Sequence, residues 1–179
     1  MEKFYFDAGL DPNFRIARYA GQMNEKTTMF RLARFASEYH LVGEFAAKTV
    51  GMQAFSGSDV NAGLNVGAEM LRDCYGKINC FAASVNTPYF DDIAKLLKTY
   101  RKDIRIIAAA SDDVSDAISS YADIIVHIKA EDAAETAKKV SELENVNIGI
   151  ASAAALCAMK EEAQRRRDKH ARYVVLIVN

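Results

Sequence analysis

The pattern that most constrains this chain begins after Gly76, where short apolar runs alternate with segments of helical periodicity. The apolar runs are residues 78–83, 104–110, 124–126 and 173–178. Apolar residues three and four apart mark the segments between them, at 90–97, 114–121, 133–140 and from about 150 to 170. Strands buried on both faces lack polar alternation, and strands separated by helices pair in parallel. The sequence therefore predicts an α/β fold with a Rossmann-like, three-layer parallel sheet.

The first third of the chain has a different texture. A short aromatic run at residues 3–6 is strand-like, and Pro12 after Asp11 is typical of a helix start. An apolar stripe with alternating steps of three and four then predicts helix to about residue 53. The stripe consists of Met29, Leu32, Ala36, Tyr39, Gly43, Ala46 and Val50. We expect a mainly helical N-terminal segment over 1–55, a parallel α/β domain over 56–179, and a homodimer that uses the N-terminal helices.

Charge and hydropathy exclude several classes of partner. The 23 basic and 24 acidic side chains nearly cancel, so the net charge of -1 gives no reason to expect nucleic acid or an anionic membrane. Residues 160–172 are locally basic, which we interpret as a solvated helix end, with contact to an acidic partner as the alternative. No apolar run approaches a bilayer span, and Met1 is followed by charge. We therefore expect a cytoplasmic protein with neither nucleic-acid nor membrane partners.

The sequence predicts where a ligand would bind more clearly than which ligand it would be. The three cysteines are too scattered for a disulfide framework or a metal site, and no dinucleotide, Walker or metalloprotease motif is present. Ligands of parallel α/β sheets bind outside the carboxyl ends of the strands. The candidate loops are therefore 84–88, 110–113, 129–131 and 149–153.

Three segments carry a resemblance to a known family. Asp123 and Val126 form a D-x-x-V pattern before a predicted helix, and residues 149–156 read Gly-Ile-Ala-Ser-Ala-Ala-Ala-Leu, close to the pattern G-I-S-S-G-A-A-L. Residues 93–98 read Ile-Ala-Lys-Leu-Leu-Lys before an apolar strand. In this order and spacing, residues 78–178 resemble the C-terminal, large-domain part of the fold-type II pyridoxal-phosphate enzymes. That family includes threonine synthase, cysteine synthase and the tryptophan synthase β chain.

The resemblance implies four cofactor-binding residues. Ser152 matches the serine that hydrogen-bonds the pyridine nitrogen, although a serine at this point also suits a helix start. Ser84, Asn86 and Thr87 lie in the loop that holds the cofactor phosphate in the family, here without its glycines. They could donate hydrogen bonds to a phosphate-bearing small molecule. Alternatively, Asn86 or Thr87 caps the following helix, with Pro88 in its first turn.

The departures from the family concern its chemistry. The Schiff-base lysine motif S-x-K-D-R is absent, and we interpret Lys26 and Lys48 as solvated helix residues. The turn at 56–63 is interpreted as an ordinary helix start capped by Asp59 or Asn61, and the chain has about half the family's length. These features favour a truncated or degenerate, threonine synthase-like relative that is catalytically incomplete. A Rossmann-like domain that binds a nucleotide or phosphorylated metabolite, or a non-enzymatic oligomeric or regulatory protein, are the alternatives, and whether the chain is an enzyme stays open.

Overall fold

The computed structural model describes residues 16–23, 28–52, 61–111 and 119–179. The strands and helices in these ranges build one mixed α/β unit around a seven-stranded sheet. In chain order they are β1 (Ile16–Ala17), β2 (Met29–Arg31), α1 (Ala33–Glu38), β3 (Glu44–Val50), α2 (Ala62–Asp73), β4 (Cys80–Ser84), α3 (Phe90–Tyr100), β5 (Arg105–Ser111), β6 (Ile124–Ile128), α4 (Ala130–Glu144), α5 (Ile150–Arg166) and β7 (Arg172–Val178), with a short 3₁₀ turn at Ala20–Gln22.

The sheet has the strand order β1-β2-β3-β7-β4-β5-β6. The five strands from β3 to β6 in this order pair in parallel, and only β2 runs antiparallel to its neighbour β3. The last strand in the sequence, β7, lies inside the sheet, between β3 and β4. The apolar runs that predicted β4 to β7 are confirmed as strands, and the parallel α/β prediction is confirmed with them.

Helices cover the two faces of the sheet. Tyr173, Val175 and Ile177 of β7 belong to a core that includes α1, α4 and α5, whereas Val174 and Leu176 belong to a second core with α2 and α3. Side chains alternate along each strand, so both cores are needed to cover it. No helix in the described part of the chain has the length and apolar character needed to cross a membrane.

Helix α5 is the most enclosed helix of the fold. Residues 152–159 are all buried, because the helix lies against β4, β5 and β7 on one side and against α4 on the other. A helix that is apolar on every side is a helix surrounded by protein. Its run of alanines leaves short side chains that allow this close packing, and it begins at Gly149 beside the carboxyl ends of the strands.

The helical prediction for residues 29–50 is wrong. These residues form β2, the six-residue helix α1 and β3, and β3 pairs along its full length with β7. A strand buried on both faces has no period of two, so the steps of three and four through Ala46 and Val50 imitate a helix. Within residues 28–52 the α-helical part is α1, and the homodimer through the N-terminal helices stays a prediction. The predictions for residues 3–6 and 11–12 lie outside the described residues.

Two further predicted helices need correction. Residues 119–121 are not helical, and the remainder of that predicted helix lies outside the described residues. Helix α2 forms as predicted, but only half of its expected stripe is buried. Gly67 is buried and Leu71 packs against the core, whereas Leu64, 38% exposed, and Ala68 are exposed. Val66 and Met70, which the stripe leaves out, complete the buried face.

Gly43 joins α1 to β3 at a point where only glycine fits. Its φ is +114°, and a Cβ added there would lie 2.7 Å from the carbonyl oxygen of Ala171. The next residue, Glu44, donates its N–H to that same carbonyl at 2.9 Å. The close approach of Gly43 to the residue before β7 therefore starts the parallel pairing of β3 with β7.

Tyr173 provides a test of the core. Its ring is stacked on Phe45 at 4.7 Å between centroids, and its buried hydroxyl has no hydrogen-bond partner in the described structure. An unpaired buried polar group costs about 1–3 kcal/mol. We therefore expect Tyr173→Phe to raise the free energy of unfolding by about 1 kcal/mol in urea denaturation. Tyr75→Phe, at a site 65% exposed, should change it by less than about 0.5 kcal/mol. A destabilised Tyr173→Phe would show that the hydroxyl is satisfied in solution.

Candidate functional site

Ser84 and Ser152 lie at the carboxyl edge of the sheet on the same face. Ser84 ends β4, and it alternates with Cys80 and Ala82, which belong to the core beneath α5. The Oγ of Ser152, in the first turn of α5, accepts a hydrogen bond from the N–H of Val178 at 3.2 Å. Both serines are buried, at 5% and 6% exposed. The structure thus brings two of the four predicted residues to one place, between β4, β7 and the start of α5.

Ser152 does not cap its helix. The N-cap of α5 is Gly149, so Ser152 lies at the helix start, as expected, but in the first turn rather than at the cap. The serine instead attaches α5 to the end of β7. Its Oγ acts as an acceptor there, and it donates to no other described residue. A buried hydroxyl hydrogen without an acceptor is chemically suited to a ligand acceptor such as a ring nitrogen.

The loop after β4 uses its own amide groups. Four backbone N–H groups between Val85 and Phe90 donate hydrogen bonds within the protein, and Pro88 has no N–H group. The bonds are Val85 N–H to the Ala109 carbonyl at 2.9 Å, Asn86 N–H to Ser84 Oγ at 3.3 Å, Thr87 N–H to the Ser84 carbonyl at 2.9 Å and Phe90 N–H to the Thr87 carbonyl at 3.1 Å. A phosphate-binding loop needs such groups to point at the anion. Here three of the four N–H groups donate to acceptors of Ser84 and Thr87, and that of Val85 donates to β5.

Helix α3 begins with acidic residues at this loop. Its N-cap is Tyr89, in the left-handed region with a φ of 59°, so neither Asn86 nor Thr87 is the cap as expected. Asp91 and Asp92 occupy the first turn, where carboxylates are favoured by the helix dipole. Both line a cavity of about 240 Å³ together with Thr87, and the hydroxyl of Ser119 donates to Asp91 Oδ1 at 2.6 Å. An incoming phosphate would meet carboxylates rather than cations in this cavity.

The four predicted residues therefore do not form one site. Ser84 and Ser152 are buried on the α5 face, Thr87 lines the acidic cavity at the start of α3, and the side chain of Asn86 is exposed. Helix α3 packs in the core on the opposite face of the sheet. The sequence identified the correct sheet edge, but the loop after β4 leads Asn86 and Thr87 away from Ser84 toward the start of α3.

The interpretation of Lys48 as a solvated helix residue is wrong. Lys48 lies on β3, is 1% exposed, and shares the α2 face of the sheet with Ala46 and Val50. Its Nζ pairs with Glu69 Oε2 at 2.9 Å and Asp73 Oδ2 at 3.4 Å, and it also donates to Thr28 Oγ1. Because this group lies on the face opposite Ser84 and Ser152, the sheet separates the ammonium from them. Lys26 lies outside the described residues.

The three cysteines offer no nucleophile at this edge. All are buried, and burial raises the pKa of the Cys80 thiol to about 12 and that of Cys74 to about 11. Burial also raises the pKa of Cys157, whose Sγ lies 2.8 Å from Thr136 Oγ1. The reactive form of cysteine is the thiolate, so these thiols remain unreactive near neutral pH. All three are buried packing residues, and for Cys80 and Cys157 the apolar and alanine-rich runs around them in the sequence already indicate this.

Solved structures with the same fold include several enzymes of amino-acid metabolism. Cystathionine β-synthase from Bacillus anthracis matches 65% of this chain with 24% identity and a TM-score of 0.58, over 42% of its own length. A hydrogen sulfide-producing enzyme from Fusobacterium nucleatum matches 65% of the chain with 21% identity and a TM-score of 0.59, over 48% of its length. O-acetylserine sulfhydrylase isoform 3 from Entamoeba histolytica matches 65% with 19% identity and a TM-score of 0.58.

These structures are fold-type II pyridoxal-phosphate enzymes, so the resemblance seen in the sequence is confirmed at the level of the fold. The chain spans less than half the length of each of the three. No protein family and no curated protein sequence matches the chain.

The buried position of Lys48 predicts a large effect on stability. Lys48→Met would remove the lysine paired with the carboxylate of Asp73, which is 1% exposed and keeps Arg72 Nε at 3.3 Å. Breaking a buried ion pair on one side costs about 3–5 kcal/mol, and because Arg72 remains, we expect the free energy of unfolding to fall by about 3 kcal/mol. Lys139→Met is the matched control, since Lys139 pairs with Glu38 at the surface, and it should cost less than about 1 kcal/mol. Equal losses in urea denaturation for the two variants would contradict the buried ion pair.

The bond between α5 and β7 is tested separately. Ser152→Ala removes the acceptor of the Val178 N–H and should lower the free energy of unfolding by about 1 kcal/mol. Ser37→Ala changes an exposed serine of α1 and should be close to neutral. Amide hydrogen exchange at Val178 should also become faster in Ser152→Ala. Unchanged exchange at that amide would mean that the hydroxyl does not hold the end of β7.

Proposed function

We propose that this protein is a non-catalytic relative of the fold-type II pyridoxal-phosphate enzymes, one that keeps their sheet and covering helices and acts by binding rather than by catalysis. The observation that carries this proposal is the closed loop after β4 together with the two carboxylates, Asp91 and Asp92, in the first turn of α3. The shared fold supports the relationship, and the residues at the carboxyl edge support the loss of the reaction.

Pyridoxal phosphate does not fit the residues at this edge. When bound in an enzyme, the cofactor supplies an electron sink for carbanion chemistry, and its phosphate has to be held by donors of hydrogen bonds. The amides of Asn86 and Thr87 already donate within the loop. Asp91 and Asp92 add negative charge to the cavity that Thr87 lines. Only the buried hydroxyl of Ser152, available as a donor, matches what the pyridine ring requires.

The covalent anchor also has no counterpart among the described residues near this edge. A lysine that attacks a carbonyl carbon needs a neutral amine within reach of the cofactor. Lys48 is the one lysine in the described core, and two carboxylates and Thr28 hold its ammonium on the opposite face of the sheet. A charged, fully coordinated ammonium is not a nucleophile. The chain as described therefore has neither the phosphate cradle nor the lysine.

The proposal is made for the family and not for threonine synthase. The solved structures reported above are named for cystathionine synthesis, hydrogen sulfide production and O-acetylserine sulfhydrylation. The geometry around Ser84 and Ser152 does not favour the reaction of threonine synthase over the reactions of these enzymes. The alternative of a nucleotide or phosphorylated metabolite in the loop after β4 meets the same two carboxylates, so we do not favour it there.

A titration with pyridoxal phosphate tests the proposal. The spectrum of the mixture should equal the sum of protein and free cofactor, and the melting temperature should not rise. Borohydride reduction at equimolar cofactor should give no adduct concentrated at a single lysine in peptide mapping. A saturable spectral change together with one reduced, labelled lysine would refute the proposal.

A double variant tests whether Asp91 and Asp92 are the reason that the cavity has low affinity for phosphate. In Asp91→Asn/Asp92→Asn the cavity loses both negative charges, so inorganic phosphate should bind more tightly than to the wild type. Asp132→Asn, in the first turn of α4, is the control for a helix N-terminal carboxylate elsewhere. If the double variant gains no more affinity than this control, the two carboxylates are not what excludes phosphate.

A further inference from the structure

A cavity of about 270 Å³ lies at the opposite, amino edge of the sheet. Strands β3, β4 and β7 all start around it, so the residues that precede or begin them line its wall. These lining residues are Glu44, Lys77, Asn79, Arg101, Lys169, His170 and Arg172. Four of the seven are lysine or arginine and one is a carboxylate. In a chain with a net charge of -1, this is a local concentration of positive charge.

The single carboxylate of the wall is engaged by a buried arginine. Arg172, 6% exposed, places Nε at 2.8 Å and Nη2 at 2.7 Å from Glu44 Oε2, and its Nη1 donates to the Cys74 carbonyl at 3.0 Å. This arrangement fixes the back of the cavity and neutralises Glu44. The charge of the remaining basic residues is therefore not offset by Glu44.

Part of the remaining charge has a structural explanation. Arg101 follows the last turn of α3 and donates from Nη2 to the Ile78 carbonyl, while its Nε lies 2.7 Å from Asp103 Oδ1. Cations at helix C-termini complement the helix dipole, and Arg101 and Arg172 both lie near such ends. Asp168 accepts the backbone N–H of His170 at 2.9 Å. These contacts explain the positions of the guanidinium groups of Arg101 and Arg172. They do not explain Lys169, which lies in the loop before β7.

Lys169 and Asn79 are the residues left to meet a ligand. Lys169 is exposed and has no ion pair with another described residue. Asn79 accepts the Arg172 N–H at Oδ1, 2.9 Å away, so its Nδ2 group is left to donate. The ammonium of Lys169 and the amide NH₂ of Asn79 thus share one cavity with the guanidinium of Arg101, which also pairs with Asp103. All three are donors, which is the chemistry that recognises phosphate oxygens.

We propose that this amino-edge cavity binds a small molecule through its phosphate groups. The volume suits one or two phosphates and is too small to enclose a larger ligand. Tyr100, next to Arg101, is 56% exposed and lies against Gly76, the neighbour of Lys77. Tyr100 is outside the lining of the cavity, and its exposed ring is the candidate surface on which an aromatic base attached to the phosphates would stack. The cavity binds a phosphate group in both alternatives: the phosphate belongs either to an inorganic ion or to a nucleotide.

Calorimetric titration with pyrophosphate and with ADP, at constant ionic strength, tests the proposal on the full chain. Lys169→Gln/Arg101→Gln removes two cations of the wall and should weaken pyrophosphate binding about tenfold or more. Lys138→Gln/Lys139→Gln, two lysines on α4 outside the cavity, is the control with the same loss of charge and should bind as the wild type. Circular dichroism melting confirms that each variant is folded.

The outcomes distinguish an inorganic phosphate from a nucleotide and show when the proposal fails. Equal affinity for pyrophosphate and ADP supports recognition of the phosphates alone. Tighter binding of ADP that is lost in Tyr100→Leu, while pyrophosphate binding is kept, supports a nucleotide. If wild type binds neither probe, or if the two double variants weaken binding equally, the cavity is not a phosphate site. Failure here would leave the proposed loss of catalysis at the other edge untouched.

Discussion

The parallel pairing of β7 with both β3 and β4 is the interaction on which the rest of the structure depends. It joins the first third of the chain to the last into one sheet, and it aligns the strand ends at two edges. The carboxyl edge receives Ser84 and the start of α5, and the amino edge receives Arg172 and Asn79. Ser84 and Arg172 are positioned by this register and by the alternation of faces along the strands.

The two edges differ in electrostatic character, and in the opposite sense to that expected of the fold. The carboxyl edge, where ligands of such sheets bind, has Asp91 and Asp92 beside a loop whose amides are used internally. The amino edge collects Arg101 and Lys169 around a cavity. A scaffold shared with the fold-type II pyridoxal-phosphate enzymes is thus combined with a carboxyl edge at which two carboxylates disfavour an anion. Retention of a fold with replacement of its site is common, because sites depend on few residues.

The sequence predicted strands β4 to β7 and their helices because each apolar run there is bounded by local turn and helix signals. It missed β3, since the partner of Ala46 is Val174, far along the chain, and nothing local distinguishes a strand buried on both faces from a helix. It placed Ser84 and Ser152 at the right edge. It could not show that the Val85 amide is taken by Ala109, or that Glu69 and Asp73 of α2 enclose Lys48, because both depend on packing between distant segments.

The interior position of β7 also has a consequence for how the protein is made. A ribosome releases β3 and β4 well before residues 172–178, so two strands that are separated by β7 in the finished sheet wait with unpaired edges. The hydrogen-bonding groups of β3 on that side and the apolar side chains of β4 remain exposed until the last strand inserts. The sheet is therefore completed late, and in the interval before β7 inserts the unpaired strand edges expose the chain to aggregation.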